Sequence, residues 1–372
     1  MSKQQRILVT GAGGFIGKNL LVRLGEQSDI EVLSFVRGDK DEMLTEMVTK
    51  ADTIIHLAGE NRPEDVADFA LVNIELTRVL CEAIRATGRN IPLILASSTQ
   101  AERDNPYGKS KLAAEQLVEA FVAKTDNSTI IYRLPGVFGK WCKPNYNSVV
   151  ATFCHNIARG LPIQINDAGV TLQLAYIDDV VDELLRALDT AKPGLLRAEI
   201  NQTYSIPLGE LAEQIFAFKN CRTSLISERV GKGLTRALYA TYISYLPSEN
   251  FAYDLPRYSD ERGTFVEMLK TPDCGQFSFF TVHPGITRGS HYHHSKTEKF
   301  LVVRGIARMQ FRHMITGEIF DITVSSDKPQ VVDSIPGWVH DITNISESEA
   351  IIMLWANEIF DHQRPDCIPC EV

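Results

Sequence analysis

Two groups of residues in this 372-residue chain have types and spacings suited to chemistry. The first lies in G-I-T-R-G-S-H-Y-H-H-S-K-T-E-K-F-L-V-V-R-G, Gly285 to Gly305. His291 and His293 alternate, so on a strand both point to one face. Glu298 follows across a turn, and P-G-W-V-H-D-I-T-N supplies His340 far downstream. Three imidazoles and a carboxylate suit Zn, Mn, Fe or Ni; residue type does not choose among them, and zinc is the ion expected here. Such a set leaves room for an open coordination position. The second group is Tyr107-Gly-Lys-Ser-Lys111, read as a helix start with Tyr107 and Lys111 on one face at i, i+4. A tyrosine has an ordinary pKa of about 10, and the neighbouring ammonium is expected to lower it. Ser98, closing a strand, would hydrogen-bond a substrate carbonyl while Tyr107 donates a proton to that oxygen as hydride reaches the carbon.

These side chains need elements to hold them. Arg6 to Thr10, Glu31 to Val36, Thr53 to Leu57, Leu93 to Ser97 and Thr129 to Tyr132 read as strands, with amphipathic stretches such as Leu112 to Lys124 between them. That alternation predicts a parallel, doubly wound α/β sheet. Gly11, Gly14 and Gly17 fall between the first strand and the first helix, where such a turn holds a pyrophosphate against free helix N–H groups. Arg37 after the second strand suits the 2′-phosphate of NADP, although Asp39 and Asp41 lie close. Beyond about Tyr245 the texture changes. Gly263 to Leu269, Phe277 to Val282, Lys299 to Val303, Ala307 to His313, Ile319 to Val324 and Ala350 to Trp355 are short β-rich runs, which predict an all-β double-sheet jelly roll. The expected domains are 1–248 and 249–372.

Composition bounds the function. The net charge of −9 argues against a general nucleic-acid binder. No apolar run approaches the ~20 residues of a membrane span, so no membrane partner is expected. M-S-K-Q-Q-R runs into a strand without a signal-peptide core, and the seven cysteines are scattered; a cytoplasmic location is the expectation. Cys367-Ile-Pro-Cys370 lacks two further ligands for a zinc site.

T-G-A-G-G-F-I-G, H-L-A-G, L-A-S-S, Y-G-K-S-K, R-L-P-G-V-F-G and Y-I-D-D-V, in this order, resemble the extended short-chain dehydrogenase/reductase family over roughly residues 5 to 240. The resemblance implies a Rossmann fold, a catalytic set of Ser98, Tyr107 and Lys111, and a nicotinamide cofactor. It implies cofactor contacts at Gly11, Gly14, Phe15, Ile16, Gly17, Arg37, Leu57, Ala58, Gly59, Tyr107, Lys111 and Pro135. Gly136 departs from the asparagine many members carry, and Thr99 offers a second hydroxyl beside Ser98. Gly285, His291, His293, Glu298 and Gly305 match the first cupin motif, and Gly337, His340 and Asn344 fit the second, except that proline directly precedes the glycine.

Over the whole chain, F-G-K-W-C-K-P-N-Y-N-S-V-V-A-T-F-C, T-Y-I-S-Y-L-P-S, H-P-G-I-T-R-G-S-H-Y-H-H and N-E-I-F-D are similar to CapF-type bifunctional enzymes of capsular and O-antigen sugar synthesis. That resemblance implies C3 epimerisation of UDP-2-acetamido-2,6-dideoxy-β-L-arabino-hexos-4-ulose in the cupin. NADPH-dependent C4 reduction then gives the β-L-talose product, on the path to UDP-N-acetyl-L-fucosamine. It also implies a homodimer. The C3 base stays open among Tyr292, His294, Lys299 and Asp321, and the metal is either a Lewis acid or a brace. Lys140, Lys143 and Asn147 are the expected contacts to the UDP diphosphate or uracil. Two other readings are a reductase or epimerase whose cupin only binds sugar or mediates dimerisation, and an iron dioxygenase.

Overall fold

Ile7, Leu8 and Val9 are all fully buried, which marks a strand covered on both faces. The computed structural model describes residues 4–63, 65, 67–190, 192–255, 258–260, 263–265, 268–269, 275–358 and 363–372. In it, six parallel strands form one sheet in the order Ile30–Phe35, Gln5–Thr10, Thr53–His56, Leu93–Ser98, Thr129–Leu134 and Leu195–Ala198. The expected strands all form, shifted by a residue or two at their ends. One face is closed by apolar side chains of the helices Asp41–Lys50, Leu76–Ala86 and Pro106–Thr125, among them Leu44, Val48, Leu80, Ile84 and Val118. The order reverses beside the first strand, and every expected cofactor contact lies past a strand's carboxyl end or on the helix that follows. This is where open α/β sheets bind ligands.

The C-terminal strands form two five-stranded sheets. One runs Ala252–Asp254, Gln330–Ser334, Glu298–Arg304, Ala350–Ala356 and Gln276–Val282. The other runs Ile319–Ser325, Ile306–His313, Trp338–Asn344, Thr287–Tyr292 and Ile368–Pro369. Their pairings are antiparallel. Phe251 stands edge-on to Trp338 and Phe311, with centroids 5.0 and 5.6 Å away. Each such pair adds about 0.5–1.5 kcal/mol beyond its burial. The fully buried Asn344 amide donates to Val282 O and Ser348 O, at 2.8 and 2.9 Å. The expected strand Gly263 to Leu269 and the motif N-E-I-F-D lie partly outside the described residues; Gly263–Phe265 pairs with Tyr258–Asp260.

By packing, the chain divides into Met1–Ser148 with Leu172–Ser205, and Val149–Thr171 with Ile206–Val372. That division differs from the expected cut at 248/249. The helices Val149–Ala158, Leu208–Ser224 and Gly233–Ser244 fall with the C-terminal strands. A buried ionic group holds part of this unit together. Arg222 and Lys299 both donate to Asp333, Lys299 at 2.6 Å, and the Asn357 amide donates to Val230 O at 3.3 Å. Such long-range pairs leave no mark in local composition. No helix among the described residues is long and apolar enough to cross a membrane.

Candidate active sites

The first site begins with a turn that excludes larger residues. Gly11 has φ +70°, and a Cβ there would lie 2.6 Å from Ala58 N. The chain therefore passes directly over Leu57 and Ala58 before the helix Phe15–Gly25 starts after Gly14. That helix has no side-chain cap and no acid in its first turn. Its first N–H groups are thus available to a phosphate.

Asn105 caps the helix Pro106–Thr125 by accepting from Gly108 N at 2.8 Å, with Pro106 at the first position. This fixes where Tyr107 and Lys111 project. Gly108 lets the turn Thr99–Glu102 lie against the helix, because a Cβ there would run into Gln100 O and stand 2.5 Å from Arg103 O. The result brings the Ser98 side chain near enough to the Tyr107 phenol to bear on its pKa, and Ser98 accepts from Gln100 N at 3.1 Å. Gly108→Ala should push this turn away. We expect ketone reduction to fall about 100-fold, the penalty of a displacement near 1 Å, with far-UV circular dichroism unchanged. A drop below about threefold would contradict the packing argument.

Lys111 is nearly buried and donates to Ala96 O at 2.8 Å, not to the phenol. This corrects one expectation. Burial raises the Tyr107 pKa, with the Ser98 hydrogen bond opposing, and Lys111 does not lower it. Burial also brings Lys111 down to about 8, against the pull of Glu115. Behind them, Asn73 on the π-helical turn Ala70–Glu75 accepts from Glu60 N at 2.8 Å and donates to Ser110 Oγ at 2.9 Å.

The expected phosphate-binding cations differ in their surroundings. Arg37 is 81% exposed and pairs by one amino group with the buried Glu60 carboxylate. Glu60 also accepts the Tyr146 hydroxyl at 2.8 Å, and no local pattern pointed to it. Lys140 is a correction. It is 2% exposed and bound to Asp178 at 2.6 Å, so it is committed within the fold. Lys143 and Asn147 are exposed, with the Lys143 ammonium 5.1 Å from the centre of the Tyr146 ring.

The second site lies between the two C-terminal sheets. One ligand atom each from His291, His293, Glu298 and His340 lies within 4.8 Å of the others. Glu298 comes from one sheet and His291 and His340 from the other, while His293 follows the end of its strand. Glu298 Oε2 is 3.1 Å from His293 Nε2 and 3.5 Å from His340 Nε2, and Lys296 reaches Oε1 at 2.8 Å. Neither ring nitrogen of buried His340 has a hydrogen-bond partner. An orphaned imidazole beside a buried carboxylate fits a metal ligand set. Burial, then His340 and His293, brings His291 down to about 4, and burial lowers His340; both rings are therefore neutral, as metal binding requires. Burial opposes the charge on Glu298, but His293 and the other neighbours hold its carboxyl well below the usual range.

A residue far away in sequence completes this site. Asp366 accepts from His294 N, Ser295 N and Lys296 N, each at 2.8 Å, and its carbonyl oxygen meets His293 Nδ1. Such a contact fixes the tautomer and direction of a metal-binding ring. A cavity of about 310 Å³ opens beside the cluster, lined by His291, Glu298, His340, Arg288 and mostly apolar side chains. None of the four expected C3 bases lines it. Alternation turns Tyr292 away from His291, and Lys299 away from Glu298 onto Asp333, while exposed Asp321 pairs with Arg308 at 2.5 Å. His294 is buried.

Comparison with known proteins identifies the class. Residues 7–201 match the NAD dependent epimerase/dehydratase family, and residues 258–368 the Polysaccharide biosynthesis C-terminal domain. The chain belongs to the NAD dependent epimerase/dehydratase family and is an NAD(P)H-dependent oxidoreductase. It is 53% identical over 367 residues to UDP-2-acetamido-2,6-beta-L-arabino-hexul-4-ose reductase of Pseudomonas aeruginosa, covering 99% of both chains. The crystal structure of the capsular polysaccharide assembling protein CapF from Staphylococcus aureus is 41% identical, with a TM-score of 0.67, covering 99% of this chain and 100% of that one. MoeE5 in complex with UDP-glucose and NAD is 26% identical at a TM-score of 0.51, covering 56% of this chain and 80% of that one. The expected CapF-type relationship thus extends along the entire chain.

Proposed function

We propose that the chain carries out two consecutive reactions on one sugar, UDP-2-acetamido-2,6-dideoxy-β-L-arabino-hexos-4-ulose. Residues 249–372, read as a cupin, invert C3, and residues 1–248 reduce C4 with NADPH to the β-L-talose product. The observation that carries this reading is a His₃Glu cluster opening on a cavity, in a chain that also sets Ser98 at a strand end and Tyr107 at a helix start. The Pseudomonas relative, a UDP-2-acetamido-2,6-beta-L-arabino-hexul-4-ose reductase, supports the substrate.

In the first reaction the 4-ketone acidifies the C3 proton. A bound divalent ion, with zinc expected, would act as a Lewis acid toward the enolate. His291, His293, Glu298 and His340 would hold it, and the cavity's apolar walls limit water. The C3 proton leaves and another returns on the opposite face. In the second reaction hydride from NADPH adds to C4, while Ser98 orients the ketone oxygen and Tyr107 gives it a proton. For a reduction the competent tyrosine is the phenol, so the raised pKa of Tyr107 suits the direction of the reaction. Arg37 takes the 2′-phosphate of NADPH through its exposed face, and Lys143 and Asn147 contact the UDP. A homodimer is the expected assembly.

The Lys111 ammonium, bound to the Ala96 carbonyl beside Gly59, supplies positive charge where the cofactor is expected to lie. Lys111 loses its charge above about pH 8, so kcat/KM for reduction should decline as pH rises through that value. The decline should vanish in Lys111→Met, which is slower at every pH. An unchanged midpoint in that variant would assign the decline elsewhere. The test of the whole reading is product NMR after incubation with the 4-ketosugar and NADPH in heavy water. One deuterium at C3 with inverted configuration and a reduced C4 are expected. Reduction without C3 inversion would favour a reductase whose second half only binds.

A further inference from the structure

Regular strand alternation would place Arg288 and His291, three residues apart, on opposite faces. The strand Thr287–Tyr292 is not regular. Its register against Trp338–Asn344 shifts between Gly289 and His291, and the extra residue, Ser290, has φ +53°. A bulge of this kind inverts the alternation beyond it. As a result Arg288 and His291 both line the cavity beside the His₃Glu cluster.

Arg288 is the one Arg or Lys among the described lining residues. It lies 5.2 Å from the centre of the Phe280 ring and donates to Thr281 O at 3.1 Å. Other prominent guanidinium groups of the fold face a carboxylate: Arg133 on Glu115, Arg222 on Asp333, Arg308 on Asp321. Among the described residues Arg288 has no carboxylate partner, and it is exposed. An oriented but unneutralised cation at the solvent side of a cavity favours an anionic ligand. The volume sets which part of a nucleotide sugar enters. At about 310 Å³ the cavity is at the lower limit of small-molecule sites, ~300–1,000 Å³. It suits one sugar ring; the nucleoside then stays outside, and the diphosphate joining them crosses the opening where Arg288 stands.

We propose that Arg288 is a diphosphate-binding residue of a second nucleoside-diphosphate-sugar subsite in the C-terminal β domain, which seats the hexose ring beside the His₃Glu cluster. This rests on the C3-inversion reading above. The test uses the full-length, zinc-loaded protein and the variants Arg288→Ala and Arg288→Lys. Without NADPH, Arg288→Ala should raise KM for C3 deuterium exchange by about 10- to 100-fold, the loss of a charge-assisted bond. Its kcat should stay within about threefold, and Arg288→Lys should recover part of the KM. Calorimetry with UDP should find two sites per chain in the wild type and one in Arg288→Ala; uridine should bind both alike. An unchanged KM with two UDP sites retained would overturn the subsite, as would a fall in kcat alone. If the wild type shows no exchange yet the second UDP site disappears in Arg288→Ala, the subsite stands and the C3 reading fails.

Discussion

Tyr107→Phe should lower NADPH oxidation with the 4-ketosugar by about 10²- to 10⁴-fold, the usual contribution of a positioned acid. C3 exchange in heavy water should continue at the wild-type rate. The substitution removes one hydroxyl and keeps the ring, whose contact with Phe69 is 5.8 Å between centroids. Ser98 keeps its hydrogen bond from Gln100 N, so the turn is held without the phenol. The loss should fall on kcat more than on KM, because the proton moves only as hydride arrives. Retained oxidation would mean that another group supplies the proton. Loss of exchange as well would mean that both reactions use this one phenol, against the assignment of two sites.

Removing the metal should have the opposite pattern. His291→Ala should reduce bound zinc by more than the ~10- to 100-fold affinity loss typical of altering an outer-shell partner. C3 exchange should fall at least about 100-fold with it. The reverse reaction, NADP⁺-dependent oxidation of the talose product at C4, should proceed near its normal rate. His291 is the ligand to change first, since it is half-buried in the cavity wall while His293, Glu298 and His340 are fully enclosed. Chelated wild-type protein should lose exchange and regain it on adding zinc, whereas the variant should not. Full exchange from chelated, folded protein would make the ion a brace between the sheets.

The sequence made some of this legible and hid the rest for physical reasons. Parallel strands buried on both faces read as apolar runs, so Arg6–Thr10 and its neighbours were predictable, as was the helix opening at Tyr107. The cluster at His291, His293, Glu298 and His340 was legible because the first three are close in sequence and the fourth follows a glycine-marked turn of its own. Pairing across the chain was not. Lys140 looked free for a phosphate until Asp178, 38 residues on, claimed it, and Lys299 looked available as a base until Asp333 did. The Ala96 carbonyl similarly takes the ammonium expected beside the phenol. Arg288 escaped notice because a bulge, not a motif, turns it inward.

The Asp366 clamp ties the history of the chain to its chemistry. The carbonyl that orients His293 arrives 73 residues later, and the carboxylate beneath His294 arrives 72 later. Closing loops of that length opposes early assembly. The coordination sphere is therefore expected to be among the last features to set during folding, after the surrounding strands have paired. If the proposed ion binds there, its affinity is coupled to folding, and the metal content of a preparation would report how far that assembly has gone. A preparation clipped or misfolded ahead of Asp366 should keep its ketone-reducing activity and arrive metal-poor.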